Sequence, residues 1–152
     1  MKNRQFSRRS FLKQSAGSVA AGAVLLPSSQ SAFGTKSPND RPRFASIGIG
    51  GMGRGDAMGH RQFADLVAIC DVDRGHAEKA NIDPKIGNGK AEIHSNYREV
   101  LDRNDVDVVS IATPDHWHVK IAIEALQAGK HVFCQKPLTL TLEENQLIRA
   151  AC

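Results

Sequence analysis

Phe44-Ala45-Ser46-Ile47-Gly48-Ile49-Gly50-Gly51-Met52-Gly53 decides the fold of this 152-residue chain. Its apolar opening reads as a buried strand, and its glycines read as a tight bend into a helix. Gly48, Gly50 and Gly53 form a G-x-G-x-x-G pattern. Such a pattern carries weight only in context, since glycines are common in turns. Here an acid, Asp71, follows 18 residues after Gly53, at the tip of the next apolar run, Leu66-Val67-Ala68-Ile69-Cys70. Strand, glycine bend, helix and acidic strand end together are the fingerprint of a dinucleotide site. Gly48 permits the turn, Gly50 lets the backbone approach a pyrophosphate, and Gly53 allows close packing of helix on strand. Free N–H groups at the helix start would face the phosphates. A purely structural turn is the competing reading.

Working outward, Val106 to Ala112 and His131 to Cys134 read as further buried strands, with a weaker one around Glu92 to His94. Val119, Ala122, Ile123 and Leu126 recur at helical spacing, and Gly129 stands where a C-terminal cap belongs. Tyr97, Val100 and Leu101 form a shorter amphipathic piece, and Thr141 with Glu144 predicts a capping box. Strands alternating with helices imply an α/β fold, a doubly wound parallel sheet of Rossmann type. Cys70 and Cys134 fall in the expected strands and Cys152 is terminal, so core thiols are expected rather than a disulfide framework or a metal site.

Charge separates two parts of the chain. Residues 1–42 hold seven basic residues and one acid, whereas residues 43–152 hold 13 basic and 15 acidic residues. The formal net charge of +4 therefore belongs to the leader, and a nucleic-acid partner for the folded part is excluded. Aromatic residues make up only 5%, which argues against a stacking platform for single strands. Residues 1–34 read as an export signal: a basic start, the modestly apolar stretch Ala16 to Leu26, then a Pro/Ser-rich end. Ser7-Arg8-Arg9-Ser10-Phe11-Leu12-Lys13 looks like the twin-arginine motif, so the twin-arginine export machinery is the expected partner and the periplasm or exterior the expected destination. A disordered basic tail is the alternative, and an uncleaved leader would act as an anchor. Residues 35–42 read as a linker, and the domain begins at position 43. No terminator precedes Cys152, so the last helix is expected to belong to a longer domain.

Four motifs in order, Gly48 to Gly53, Cys70 to Asp73, Thr113-Pro114-Asp115-His116-Trp117-His118 and Gln135-Lys136-Pro137, resemble the N-terminal half of Gfo/Idh/MocA-family oxidoreductases. The resemblance covers about residues 43–152. It implies NAD as cofactor, with Gly48, Gly50, Gly51, Met52, Gly53, Asp71, Thr113, Pro114, His118, Lys136 and Pro137 around it. Thr113 and Pro114 would lie beneath the nicotinamide half, with His118 close by. Lys136 matches the lysine of the family's Glu-Lys-Pro motif and would assist catalysis at the substrate hydroxyl. Such a lysine at the carboxyl edge of a parallel sheet is well placed for proton transfer. Asp71, with Asp73, disfavours the 2′-phosphate of NADP, and Arg74 opposes that preference. Gln135 departs from the family's glutamate, which puts the position of Lys136 in question. The resemblance also implies a small sugar-like or polyol substrate, and a C-terminal α/β domain that carries further catalytic groups and the oligomer interface. This chain would then be an incomplete domain, inactive alone. An NAD-dependent glycoside hydrolase fragment and a non-catalytic nucleotide-binding remnant are the alternatives. His118 is open between the cofactor edge and an exposed or capping role. Lys136 has an ordinary surface lysine as its alternative, and Trp117 is expected to pack rather than stack.

Overall fold

The computed structural model describes residues 40–152. The expected leader, residues 1–34, and most of the expected linker lie outside the described residues. Within them, β1 (Arg43–Ile47), β2 (Asp65–Cys70), β3 (Glu92–His94), β4 (Val108–Ile111) and β5 (His131–Cys134) form one sheet in the order β3-β2-β1-β4-β5. Every pairing is parallel. The strand order reverses beside β1, which has β2 on one side and β4 on the other. Both faces of the sheet are covered, as continuous apolar strands require. Phe44 packs with Ala57, Ala77 and Ala80, from α1 (Gly51–His60) and α2 (Arg74–Ile82). The alternate residues Ala45 and Ile47 pack on the other face. Their partners come from α3 (Tyr97–Leu101), α4 (His118–Gln127) and α5 (Leu142–Ala151).

Local sequence explains the element ends. Gly48 turns the chain out of β1 with φ 83°. Asp73 caps α2 by accepting from the N–H groups of Gly75 and His76, and those donors hold its carboxyl below the usual range. The expected capping box is present at Thr141 and Glu144. Two strand readings are corrected. β4 starts at Val108 rather than Val106: Asp107 N–H donates to Arg43 O and Val106 is buried just outside the ladder. β5, read as buried, is the end strand of the sheet among the described residues, with His131 and Phe133 exposed and Cys134 half-buried.

All three described cysteines are free. Burial, reinforced by the Asp71 and Glu99 carboxylates, pushes the Cys70 thiol up to about 12, and burial pushes Cys134 up to about 11. Both stay protonated below those values, and the thiolate is the reactive form. At pH 8 a disulfide reagent is therefore expected to modify exposed Cys152 quickly and the other two only after denaturation. Rapid release of three equivalents from the native chain would contradict this burial.

Candidate functional site

A cleft of about 550 Å³ opens at the carboxyl ends of the strands, where the order reverses. Open α/β sheets bind ligands at this place. Gly48 and Gly50 form its floor, Asp71 and His76 stand on one side, and Thr113 and Trp117 on the other.

The floor is closely fitted. A Cβ on Gly48 would lie 2.6 Å from the Ala112 carbonyl oxygen, and one on Gly53 would overlap the carbonyl oxygen of Gly48. At Gly50 the same construction meets only His76 Nδ1, at 3.9 Å, so that backbone faces open space. No side chain caps the start of α1, and its first turn contains no acid. The helix therefore presents unpaired N–H groups and an uncompensated positive end to the cleft.

Asp71 anchors this turn from the neighbouring strand. Its Oδ2 accepts from Ile49 N–H at 2.8 Å and its Oδ1 from Asp73 N–H at 2.9 Å. Each oxygen keeps a further lone pair for a ligand hydroxyl. Thr113 lines the cleft and its buried Oγ1 has no hydrogen-bond partner. A buried hydroxyl without a partner is costly unless something outside the chain satisfies it.

His118 is buried, which sets aside the exposed reading. It is 1% exposed, with Nδ1 2.7 Å from Pro137 O and Nε2 2.9 Å from Thr113 O. Both partners are carbonyl oxygens that only accept, so a neutral ring donates its one N–H to one of them and donates to both only with a proton on each nitrogen. It is not among the residues that line the cleft, and it ties the loops after β4 and β5 together.

Lys136 and Pro137 follow β5 and lie outside the cleft walls, and Lys136 is exposed. Gln135 N–H donates to Ile111 O, which ties this segment to β4. Gly51 and Met52 are exposed at the start of α1, and Gly53 is buried within it. The cleft thus gathers Gly48, Gly50, Asp71, Thr113 and Pro114, while the lysine stands apart from them.

Trp117 packs as expected, with its ring edge-on to Tyr97 at 6.4 Å, yet it is 39% exposed and lines the cleft. Tyr97 is held in turn: its hydroxyl donates to Glu124 Oε2 at 2.8 Å and the Arg98 guanidinium lies 4.7 Å from its ring centre. Burial and the Glu124 bond raise its phenol to about 12. Sequence reasoning missed His76, Ser95 and Asn96 as wall residues. Asn96 had a readable signal, since it follows a strand end and caps α3 by accepting from Arg98 N–H.

A parallel doubly wound sheet, a glycine turn and an acid at the end of β2 define a dinucleotide-binding domain of Rossmann type. Residues 42–152 match the GFO_IDH_MocA model, oxidoreductase family, NAD-binding Rossmann fold, and the chain belongs to that family. It is 36% identical over 163 residues to a glycosyl hydrolase family 109 protein of Shewanella sp. strain W3-18-1, covering 90% of this chain and 35% of that one. It is also similar to the solved NAD-binding protein of Listeria innocua, with 32% identity and TM-score 0.66 over 74% of this chain and 32% of that one. The WlbA dehydrogenase of Bordetella pertussis, solved with NADH and UDP-GlcNAcA, matches with 29% identity and TM-score 0.66 over 74% and 35% of the two chains. The chain spans about a third of the length of the curated relatives it matches.

Proposed function

We propose that this chain is the cofactor-holding half of an NAD(H)-dependent oxidoreductase acting on a hydroxyl of a sugar, polyol or similar compound. The observation that carries the reading is the pairing of the Gly48–Gly53 cradle with Asp71. A Cβ at Gly48 or Gly53 would collide with the Ala112 or Gly48 carbonyl, so the turn closes only with glycines there, Gly50 faces the open cleft, and Asp71 keeps free lone pairs beside it. The residues fit the cofactor: Gly50 and the start of α1 receive the diphosphate, Asp71 the adenine-side ribose, and Thr113 Oγ1 gains the partner it lacks. When bound, the nicotinamide supplies hydride acceptance and donation. Thr113 and Pro114 orient that half, while Lys136 holds a proton near the substrate hydroxyl.

NAD is favoured over NADP. A 2′-phosphate would meet Asp71 and Asp73, and like charges about 4 Å apart cost roughly 1–4 kcal/mol between water-like and surface dielectrics. Arg74 opposes that preference, since its exposed pairing with Glu78 through Nε leaves its other donors free.

A second reading is favoured by the family 109 relatives: an NAD-dependent glycoside hydrolase that oxidises its sugar transiently. In the assembled enzyme, sugar released without net NADH favours the hydrolase, and stoichiometric NADH favours the dehydrogenase. Export through the twin-arginine route is part of the proposal, on the strength of Ser7 to Lys13.

Calorimetry of the full chain with NAD, NADP and the Asp71→Ala variant tests the reading. NAD is expected to bind at least tenfold more tightly than NADP. Asp71→Ala is expected to weaken NAD about 100-fold, the loss of two hydrogen bonds to a charged group at about 1.5 kcal/mol each. No heat with NAD at millimolar concentration from a folded chain would leave only a nucleotide-site remnant.

A further inference from the structure

The Gln135 side chain stands between Asp56 and the backbone of Lys136. Gln135 Nε2 donates to both carboxylate oxygens of Asp56, at 3.0 and 2.9 Å. Gln135 Oε1 accepts from Lys136 N–H at 3.1 Å. The amide thus uses both ends at once, with a carboxylate on one side and the peptide of the lysine on the other. A glutamate at 135 has no hydrogen to give Asp56. It would instead set a second carboxylate about 3 Å from the first, an arrangement stable only if a proton is shared. Asp56 and Gln135 are therefore matched in chemistry, although 79 residues separate them.

Their positions give the match a purpose. Asp56 is on α1, the helix whose first turn forms the cradle, and Gln135 follows β5 at the far side of the strand-order reversal. The pair is a side-chain bridge between the diphosphate end of the site and the segment that carries Lys136. Lys136 itself is exposed, with no acidic partner among the described residues, so the bridge fixes its backbone while the ammonium stays available.

We infer that Asp56 is a positioning residue: through Gln135 it sets where Lys136 stands relative to the nicotinamide half of the cofactor. This rests on the NAD(H) reading above. It separates two properties of the site, since the adenosine and diphosphate are held elsewhere, by Asp71 and the glycine turn. A change at 56 or 135 alters recognition of the nicotinamide half and leaves the other half untouched.

The test compares NADH with ADP-ribose, which lacks the nicotinamide, by calorimetry on the full chain. Gln135→Glu is expected to weaken NADH about fivefold to tenfold, in keeping with loss of a charge-assisted hydrogen bond, and to change ADP-ribose less than about twofold. Asp56→Asn combined with Gln135→Glu reverses donor and acceptor and is expected to restore NADH to within about twofold of the original. Should Gln135→Glu not fold, Asp56→Ala removes the acceptor without adding charge and is expected to give the same split between ligands. Equal weakening of both ligands, or a double variant that keeps the NADH defect, overturns the inference and leaves the NAD(H) reading standing. Failure of the unaltered chain to bind either ligand removes both.

Discussion

Gly53→Ala is expected to lower the melting temperature of the chain by about 10 °C or more and to abolish NAD binding. Two effects oppose each other at this position. Alanine in a helix is favoured over glycine by about 1 kcal/mol. Against that, the new methyl would occupy the space of the Gly48 carbonyl oxygen, which is backbone and cannot rotate aside. Gly48 is itself confined, with its N–H on Cys70 O at 2.8 Å and Ala112 O 2.6 Å from where a Cβ would stand. Overpacking costs roughly 1–3 kcal/mol even where side chains yield, and more against fixed backbone, so the clash wins. A net loss of about 2 kcal/mol corresponds to roughly 10 °C for a domain of this size. Gly55 supplies the control within the same helix. A Cβ there meets nothing within 4 Å, so Gly55→Ala is expected to gain about 0.5–1 kcal/mol and a few degrees. If the two variants melt alike, the close approach of α1 to the turn after β1 is wrong, and the cradle with it.

The same contrast explains what the sequence allowed to be read. The β1 strand, its glycine turn and Asp71 were legible because each is local and the spacing between them is fixed by one βαβ unit. Helix α2 was not legible as a separate element. Its buried residues are only Ala77 and Ala80, too small to make an apolar stripe, while Ile82 is 74% exposed and adds a misleading one. The exposure along β5 was equally hard to read from its residues. His131-Val132-Phe133-Cys134 reads as apolar, but among the described strands it pairs with β4 alone, and Phe133 packs edge-on against His60 while staying 44% exposed.

The site shows the same division. A carboxylate at a strand end points to a ribose, but its second duty, holding Ile49 N–H and Asp73 N–H, follows only from β1 and β2 lying side by side. The Asp56–Gln135 bridge lies further out of reach, since nothing local links the two positions. The residues that hold other residues in place are joined through space, and those meant for the ligand are grouped along the chain.

His118→Ala is the sharpest case of that distinction, and a stability loss of about 3 kcal/mol is expected from it. Removing a fully buried ring leaves a cavity, and it strips the Thr113 and Pro137 carbonyls of their shared partner. Large-to-small changes in cores cost about 2–5 kcal/mol, and each unsatisfied buried polar group about 1–3, with relaxation and entry of water recovering part of the sum. Thermal unfolding should therefore show a drop on the order of 15 °C. The loops after β4 and β5 should also part, so amide hydrogen exchange is expected to quicken around residues 113 and 135–140 while β1 and α1 keep their protection. A histidine at the cofactor edge behaves in the opposite way: its loss weakens NAD while the melting temperature and exchange pattern hold. Unchanged melting with weaker NAD would return His118 to the binding surface. A large fall in melting, with exchange quickened at both loops, identifies it as the latch that keeps Lys136 and Thr113 on one side of the sheet.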